Sequence, residues 1–405
     1  MVTDVKCINT IRFLAADAIE KANSGHPGTP LGITPMAYVL WTRFLRHCPT
    51  QIDWANRDRF VLSSGHSSSM LYAFLHLTGY DLSLEDIKNF RQLDSRTPGH
   101  PEIHHVPGVE TTTGPLGQGF SNAVGMAIAE AHLASVFNKP DLPEIVDHYT
   151  YVITSDGDLM EGVTSEAASL AGHLRLGKLI CLYDDNQITI EGSTRLAFSE
   201  DVLKRFEAYG WHVQSVKDGN DIEKISEAVR SAKENDGQPS LIAIRTIIGF
   251  GTPTKAGTSS AHAGALGKEE ISGAKHTLGW PTLEPFHIPE DVKEYFDHAK
   301  ATGEKWFSEW QNNFQLYQRQ YPQEAKEFER MMKGEMPSDW EDSLPSYYEP
   351  GPEGIPTRMA TGDIINAIES KLPELIGGAA DLAPATQTLI KNSGDFSATD
   401  YSARN

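Results

Sequence analysis

Two acidic clusters carry the most specific chemical signal in this sequence. Ser155-Asp156-Gly157 and Asp184-Asp185-Asn186 each end a short β-branched and aromatic run, 149–154 and 179–183, and a helical pattern over about 159–173 lies between them. Such runs read as buried strands, so the whole is one strand–helix–strand unit with parallel strands and a right-handed crossover. Both clusters then fall at the carboxyl ends of neighbouring strands, where open α/β sheets bind ligands. Asp156 and Asn186 are far apart in the chain yet become neighbours in space. One carboxylate, one amide oxygen and nearby backbone carbonyls make a hard, oxygen-only site, suited to Mg²⁺ or Ca²⁺ shared with a ligand's phosphates and unsuited to zinc. The plainer alternative is a pair of Asp/Asn turns that cap two strands.

Histidines form the second group. His26, His66, His100 and His262 each sit beside Gly or Pro in a loop. The strand pattern brings these loops to one sheet edge, where several imidazoles together favour neutral hydrogen bonding or proton transfer. His104-His105, in a Pro-rich segment, reads as a solvated pair. Three further motifs are weak. Gly172 to Lys178 has P-loop spacing, but Leu179 replaces the Ser/Thr and the loop runs from helix to strand. Gly117-Gln118-Gly119 lacks the third glycine of a dinucleotide fingerprint, although it opens a helix whose N–H groups could meet an anion. Asp156-x-Asp158 is not continued as a calcium loop, because Met160 breaks the ligand spacing.

The elements that must position these groups alternate. Helical spacing covers 5–22, about 35–46, 68–77, 120–137, 199–209, 221–233 and 289–333; strands are expected at 59–63, 149–154, 179–183, 211–216 and 241–248. Ser83 to Asp86 reads as a helix-start box, and 97–119 as loop. This alternation implies α/β architecture with a doubly wound parallel sheet and helices on both faces. We expect a diphosphate- and metal-binding domain over 1–322, a Pro/Gly-rich interdomain linker over 323–353, and the beginning of a second α/β domain over 354–405. In that last segment a helix at 358–372 precedes a strand at 374–380, too little to bury a core alone.

Composition narrows the function classes. The 405 residues carry a formal net charge of −20, without the basic footprint that nucleic acid requires. A phosphate ester would have to be bound locally against this field. No apolar run approaches the roughly 18 residues of a membrane span. No signal or transit pattern opens the chain, and Cys7, Cys48 and Cys181 do not form a disulfide framework. A cytoplasmic enzyme is expected.

With these residues in place the chain resembles the transketolase family of thiamine-diphosphate enzymes. The likeness runs over about 11–188, resumes near His262 and returns over 358–384. It rests on S-G-H-P-G at 24–28, S-G-H at 64–66, T-P-G-H-P-E at 97–102, G-P-L-G-Q-G at 114–119 and G-G-A-A-D-L-A-P at 377–384. S-D-G followed by D-N at 185–186 resembles the family's thiamine-diphosphate motif, with Ser155 and Asp185 as departures. The resemblance implies thiamine diphosphate held through Mg²⁺ (or Ca²⁺) by Asp156, Asn186 and the carbonyl of Ile188. It implies that His66, His262 and Gly157 meet the diphosphate, and that Gly114 and Leu116 face the aminopyrimidine. His26, His100 and His262 would handle the substrate's hydroxyls and carbonyl. Glu161 would join a carboxylate network across a homodimer with active sites at its interface, while Asp381 and Arg358 would serve the neighbouring subunit's site, Arg358 on the sugar phosphate. Where the family usually has Ser, this chain has Ala385; Thr386 is the adjacent hydroxyl. The implied reaction moves a two-carbon unit from a ketose phosphate to an aldose phosphate, in the pentose phosphate pathway, with the cofactor as electron sink. The glutamate that protonates the pyrimidine is expected outside these residues, so the 405-residue polypeptide alone is expected to be inactive. A dihydroxyacetone synthase, a phosphoketolase and a non-catalytic truncated homologue are the competing readings.

Overall fold

The computed structural model describes residues 3–346 and 354–405. Contacts divide the chain into two compact units, Met1–Ala129 with His148–Glu309, and Glu130–Asp147 with Trp310–Asn405.

In the first unit five strands, β1 (Arg59–Leu62), β2 (Thr150–Ser155), β3 (Leu179–Asp185), β4 (His212–Val216) and β5 (Ser240–Arg245), form one parallel sheet in the order β1-β2-β3-β5-β4. The expected α/β class and doubly wound parallel sheet are therefore present. Strand side chains alternate between faces. Tyr151, Ile153, Ile180, Leu182, Ile242 and Ile244 join one core with α1 (Asp4–Ala22), α2 (Gly28–Val39), α3 (Ser68–Leu77), the short α4 (Leu84–Lys88) and α9 (Ile222–Glu234). Outside that core, α5 (Gln118–Phe137), α7 (Gly162–His173) and α8 (Val202–Ala208) are joined through Phe120, Ala168 and Phe206, and α6 (Asp156–Met160) follows β2 directly. There Trp211 stacks on Phe120 at 5.8 Å and donates its indole N–H to the Ala168 carbonyl at 2.8 Å. The helix α10 (Lys268–Thr277) is tied to α1 by a buried ion pair, Lys275 to Asp17 at 3.0 Å.

Three local expectations change. The second helix starts at Gly28, seven residues before the expected 35, and continues past Val39 as a π-helical turn, Leu40–Phe44. Pro35 thus lies inside α2, where it lacks the N–H that would bond to the Leu31 carbonyl. Arg12 replaces that donor, with its Nε 2.9 Å from the Leu31 oxygen. The crossover helix is two helices, α6 and α7, with Glu161 at the break. Finally, Asp184 and Asp185 lie inside β3, not after it. The box at Ser83 is formed as expected, with Asp86 bonded back to the Ser83 N–H.

In the second unit the part of α11 (Glu290–Gln320) from Trp310 onward contributes a ladder of rings, Trp310 on Phe314 at 5.1 Å and Phe314 beside Tyr317 at 6.1 Å. α12 (Pro322–Met332) buries Ala325 and Phe328, so the first part of the segment expected as linker is helical. Amphipathic spacing there outweighs the local breaker Pro322, which is tolerated at a helix start. Residues 347–353 of that segment lie outside the described residues. α13 (Thr357–Ile368) matches the expected helix, but no strand forms at 374–380 among the described residues. A lone strand has no ladder to join; the Gly377 N–H bonds instead to the Arg404 carbonyl at 3.0 Å. Among the described residues no helix is long and apolar enough to cross a membrane.

Candidate active site

The carboxyl edge of β1, β2, β3 and β5 opens into a cavity of about 250 Å³, lined by His26, His66, His100, His262, Gly114, Leu116, Gly157, Asn186 and Ile188 among others. Close backbone packing assembles it. A Cβ on Gly28 would lie 2.3 Å from the Ala261 carbonyl, so only glycine lets the His26 loop meet the His262 loop. Two backbone bonds fasten that meeting, Gly249 N–H to Gly28 and Gly264 N–H to Gly25, both at 2.8 Å. A Cβ on Gly65 would lie 2.6 Å from the Thr113 hydroxyl, which brings the His66 turn against the loop carrying Gly114. The His100 loop is pinned by Ser68 and Tyr72, whose hydroxyls donate to the Gly99 and Pro98 carbonyls at 2.8 and 3.0 Å.

The four imidazoles form one cluster. The His26 ring lies 5.3 Å from His66, 5.9 Å from His100 and 5.8 Å from His262, and His66 lies 5.4 Å from His262. Burial holds all four neutral, helped by the Arg91 guanidinium for His26 and His100 and by the neighbouring rings for His26 and His66. His26 is pushed down to about 4, and His66, His100 and His262 also fall below the usual imidazole range. His66 Nε2 meets the Thr29 hydroxyl at 3.1 Å.

Of Asp156, Asp184, Asp185 and Asn186, only Asn186 lines this cavity; Asp156 lines a separate one of about 400 Å³ with Tyr183, Asp185 and Gln187. Burial lifts Asp156 to about 6, although Tyr183 donates its hydroxyl to Asp156 Oδ1 at 2.5 Å and the Gln187 N–H reaches Oδ2 at 2.9 Å. Asp184 is fully enclosed and rises to about 7 through burial, opposed by the Thr246 hydroxyl and raised further by Asp156. The Asn186 amide donates to Asp184 Oδ2 at 2.7 Å, which turns its Oδ1 the other way, onto the Ile188 N–H at 2.8 Å. These bonds form the turn that the plainer reading required. They also leave Asp156 and Asp184 buried with more negative charge than their neighbours offset.

That surplus fits a divalent cation with oxygen ligands. No group of three or more His, Cys, Asp or Glu is arranged for a metal among the described residues, as expected where an amide and a backbone carbonyl supply the remaining ligands. Around the cavity loops His262 Nδ1 and the Ser64, Ser67 and Thr113 hydroxyls are buried without a partner. Of these residues only His262 lines the cavity, where its unpartnered nitrogen suits a ligand or water.

Other expected residues lie elsewhere. Glu161 is exposed at the α6–α7 break and does not line the cavity. Arg358 and Asp381 belong to the second unit, Arg358 in the first turn of α13 and Asp381 in the left-handed region at φ 63°. The Thr386 hydroxyl is bonded to the Leu382 carbonyl at 3.0 Å. His104 and His105 are exposed. Gly172 and Gly177 are packing positions, each with a backbone carbonyl 1.8 Å from where a Cβ would lie.

Sequence reasoning missed Asp158, Arg91, Thr29 and Tyr183. Asp158 is the internal anion that answers the start of α5. It accepts from the Gly117 N–H and Ser63 hydroxyl at 2.8 Å, and from the Ser155 N–H and hydroxyl at 3.0 and 2.9 Å. The N–H expected to meet a ligand anion is thus satisfied within the protein. The spacing of Ser155 and Asp158, three apart as in a helix-start box, is the sequence signal that could have found Asp158.

Residues 3–337 match the family described as transketolase, thiamine diphosphate binding domain. The chain is 53% identical over 401 residues to a Bacillus subtilis transketolase, covering 99% of this chain and 60% of that protein. It is 56% identical over 396 residues to one from Nostoc sp., covering 97% and 59%. A Pichia stipitis transketolase solved with sedoheptulose-7-phosphate superposes with a TM-score of 0.95 at 46% identity, over 99% of this chain and 60% of that one. The chain therefore spans about 60% of the length of the curated relatives it matches. A parallel sheet whose carboxyl edge gathers four neutral histidines beside a buried Asp–Asn pair, together with these matches, places the chain in the transketolase family.

Proposed function

We propose that this chain carries the diphosphate- and metal-binding part of an enzyme that transfers a two-carbon glycolaldehyde unit from a ketose phosphate to an aldose phosphate, as in the pentose phosphate pathway. The observation that supports it most is one cavity lined by four neutral imidazoles and Asn186, with the Asp156 carboxylate held on the adjacent Gln187 N–H. The complex of the Pichia stipitis relative with a sugar phosphate agrees with this substrate class. Asp156, Asn186 Oδ1 and the Ile188 carbonyl would hold Mg²⁺ or Ca²⁺ on the diphosphate. His66, His262 and Gly157 would receive the diphosphate itself, and Gly114 and Leu116 would face the aminopyrimidine. When bound, thiamine diphosphate supplies the electron sink for cleaving a carbon–carbon bond beside a carbonyl.

The protein's part is orientation and proton handling. His26, His100 and His262 are uncharged near neutral pH, so each can donate or accept a hydrogen bond to a sugar oxygen without repelling a neighbouring ring. Burial keeps bulk water from competing for those oxygens. The reading extends to a cytoplasmic homodimer with sites at its interface. In it Glu161 would belong to a carboxylate network, Asp381 would reach the partner's cofactor, and Arg358 would bind the sugar phosphate. We retain 1–322, 323–353 and 354–405 as its functional division. The test is an assay of the intact protein with Mg²⁺, thiamine diphosphate, a ketose phosphate and an aldose phosphate, read by mass spectrometry of the products. Cofactor binding without conversion of the aldose acceptor into a ketose two carbons longer would sink the reading. Transfer only to formaldehyde would favour a dihydroxyacetone synthase, and a requirement for inorganic phosphate a phosphoketolase.

A further inference from the structure

Arg91 stands outside every motif and holds an unusual position. It is a non-glycine residue in the left-handed region, φ 60°, fixed there by its N–H on the Thr97 carbonyl at 2.9 Å. Among the described residues no carboxylate pairs with its guanidinium. The donors go to neutral acceptors: Nη1 to the Ser24 hydroxyl at 3.0 Å, and Nη2 to His26 Nδ1 at 3.3 Å and the Gly99 carbonyl at 3.5 Å. A Cβ on Gly99 would lie 2.7 Å from Arg91 Nε, so the loop is glycine where the guanidinium passes. One side chain thus bridges the His26 loop and the His100 loop.

A guanidinium has five donors and no acceptor. The bond to His26 Nδ1 therefore has one polarity: Arg91 donates and Nδ1 accepts. A neutral imidazole carries its single proton on the other nitrogen. We propose that Arg91 is a positioning residue that fixes His26 as the neutral Nε2–H tautomer and sets its separation from His100, so that His26 serves the sugar substrate as a hydrogen-bond donor and not as a base. This rests on the transferase reading above for its substrate, a sugar oxygen, but the tautomer itself does not. With Nδ1 occupied and Nε2 protonated, His26 has no lone pair to take a proton. Proton removal then falls to other imidazoles of the cluster, whose rings surround His26: His66, His100 and His262.

The test uses the intact protein with isotope-labelled histidine. NMR shifts of the His26 ring, assigned by their loss in His26→Gln, report the tautomer without substrate or cofactor. We expect Nε2–H in the wild type, a shift towards Nδ1–H in Arg91→Met, and retention of Nε2–H in Arg91→Lys, which keeps a cationic donor. Turnover in Arg91→Met should fall roughly 10- to 100-fold, as misplacement of a reacting contact does, with thiamine diphosphate affinity unchanged and Arg91→Lys partly rescued. A wild-type His26 protonated on Nδ1 overturns the proposal even if Arg91→Met fails to fold. So does an Arg91→Met protein whose tautomer or turnover is that of the wild type. Absence of ketol transfer in the wild type, with His26 still Nε2–H, would instead count against the transferase reading.

Discussion

The histidines and the carboxylates at this sheet edge respond to burial in opposite ways. On the histidine side, desolvation removes charge from basic groups, and four rings within 6 Å of His26 or one another settle as neutral donors and acceptors. On the acidic side, desolvation lifts Asp156 and Asp184, which rely on neighbouring donors, Tyr183 and Gln187 for the one, Asn186 and Thr246 for the other. Asp158, two residues from Asp156, shows the third outcome: four donors satisfy it, and nothing remains for a ligand to do. Burial alone therefore does not mark a functional group. What distinguishes Asp156 from Asp158 is the balance of donors and charge around it.

The contrast can be broken in four ways. Asp156→Ala should abolish metal-dependent binding of thiamine diphosphate while the protein stays folded, since the side chain sits at a strand end and is proposed as a ligand; calorimetric titration with Mg²⁺ that returns wild-type affinity would remove Asp156 from the metal site. His100→Ala should act on the other side only, slowing sugar turnover on the order of 10²-fold with cofactor affinity little changed, and steady-state kinetics with a ketose phosphate would show it. Asp158→Asn should cost stability instead of function. Its amide group would face donors on both oxygens' sites, a loss of about 2–3 kcal/mol measurable by denaturant unfolding.

The smallest effect concerns pH. His26 is held down to about 4, so its contribution is present above the unfolded value near 6.5 and is lost as pH falls towards 4. Asp184 is held up to about 7, so its contribution is present at low pH and is lost as pH rises through about 7. In metal-free protein the two slopes oppose. Asp184→Asn removes the acidic arm, and its melting temperature should fall more steeply than the wild type's between pH 7 and pH 4. Parallel melting profiles would show that Asp184 does not titrate in this window.

Much of this was legible in the sequence because strands advertise themselves. Apolar runs such as Leu179–Leu182 and the polar residues that end them marked the sheet edge, and with it the meeting of His66 and Asn186 in one cavity. His26 and His100 were found through their Gly- and Pro-rich surroundings. Arg91 was not, because a positive φ on arginine leaves no mark in residue type, and the bond to His26 joins loops 65 residues apart. Asp158 was hidden beside Asp156, because sequence does not tell which of two carboxylates the donors will meet. The strand expected at 374–380 failed for the opposite reason: its local pattern was adequate, but no described neighbour pairs with it.

Pro35 carries a consequence for how this chain can change. Its missing N–H leaves the Leu31 carbonyl open, and Arg12 occupies it, with further bonds to Asn9 and Asn220 at 3.2 and 2.8 Å. Replacing an interior helix proline is ordinarily a route to a more robust protein. Here it would evict a buried guanidinium from its acceptor, so the two positions are bound by epistasis. Helix optimisation at position 35 becomes profitable only after Arg12 has been exchanged for an uncharged residue, and the order of the two changes decides whether the intermediate folds.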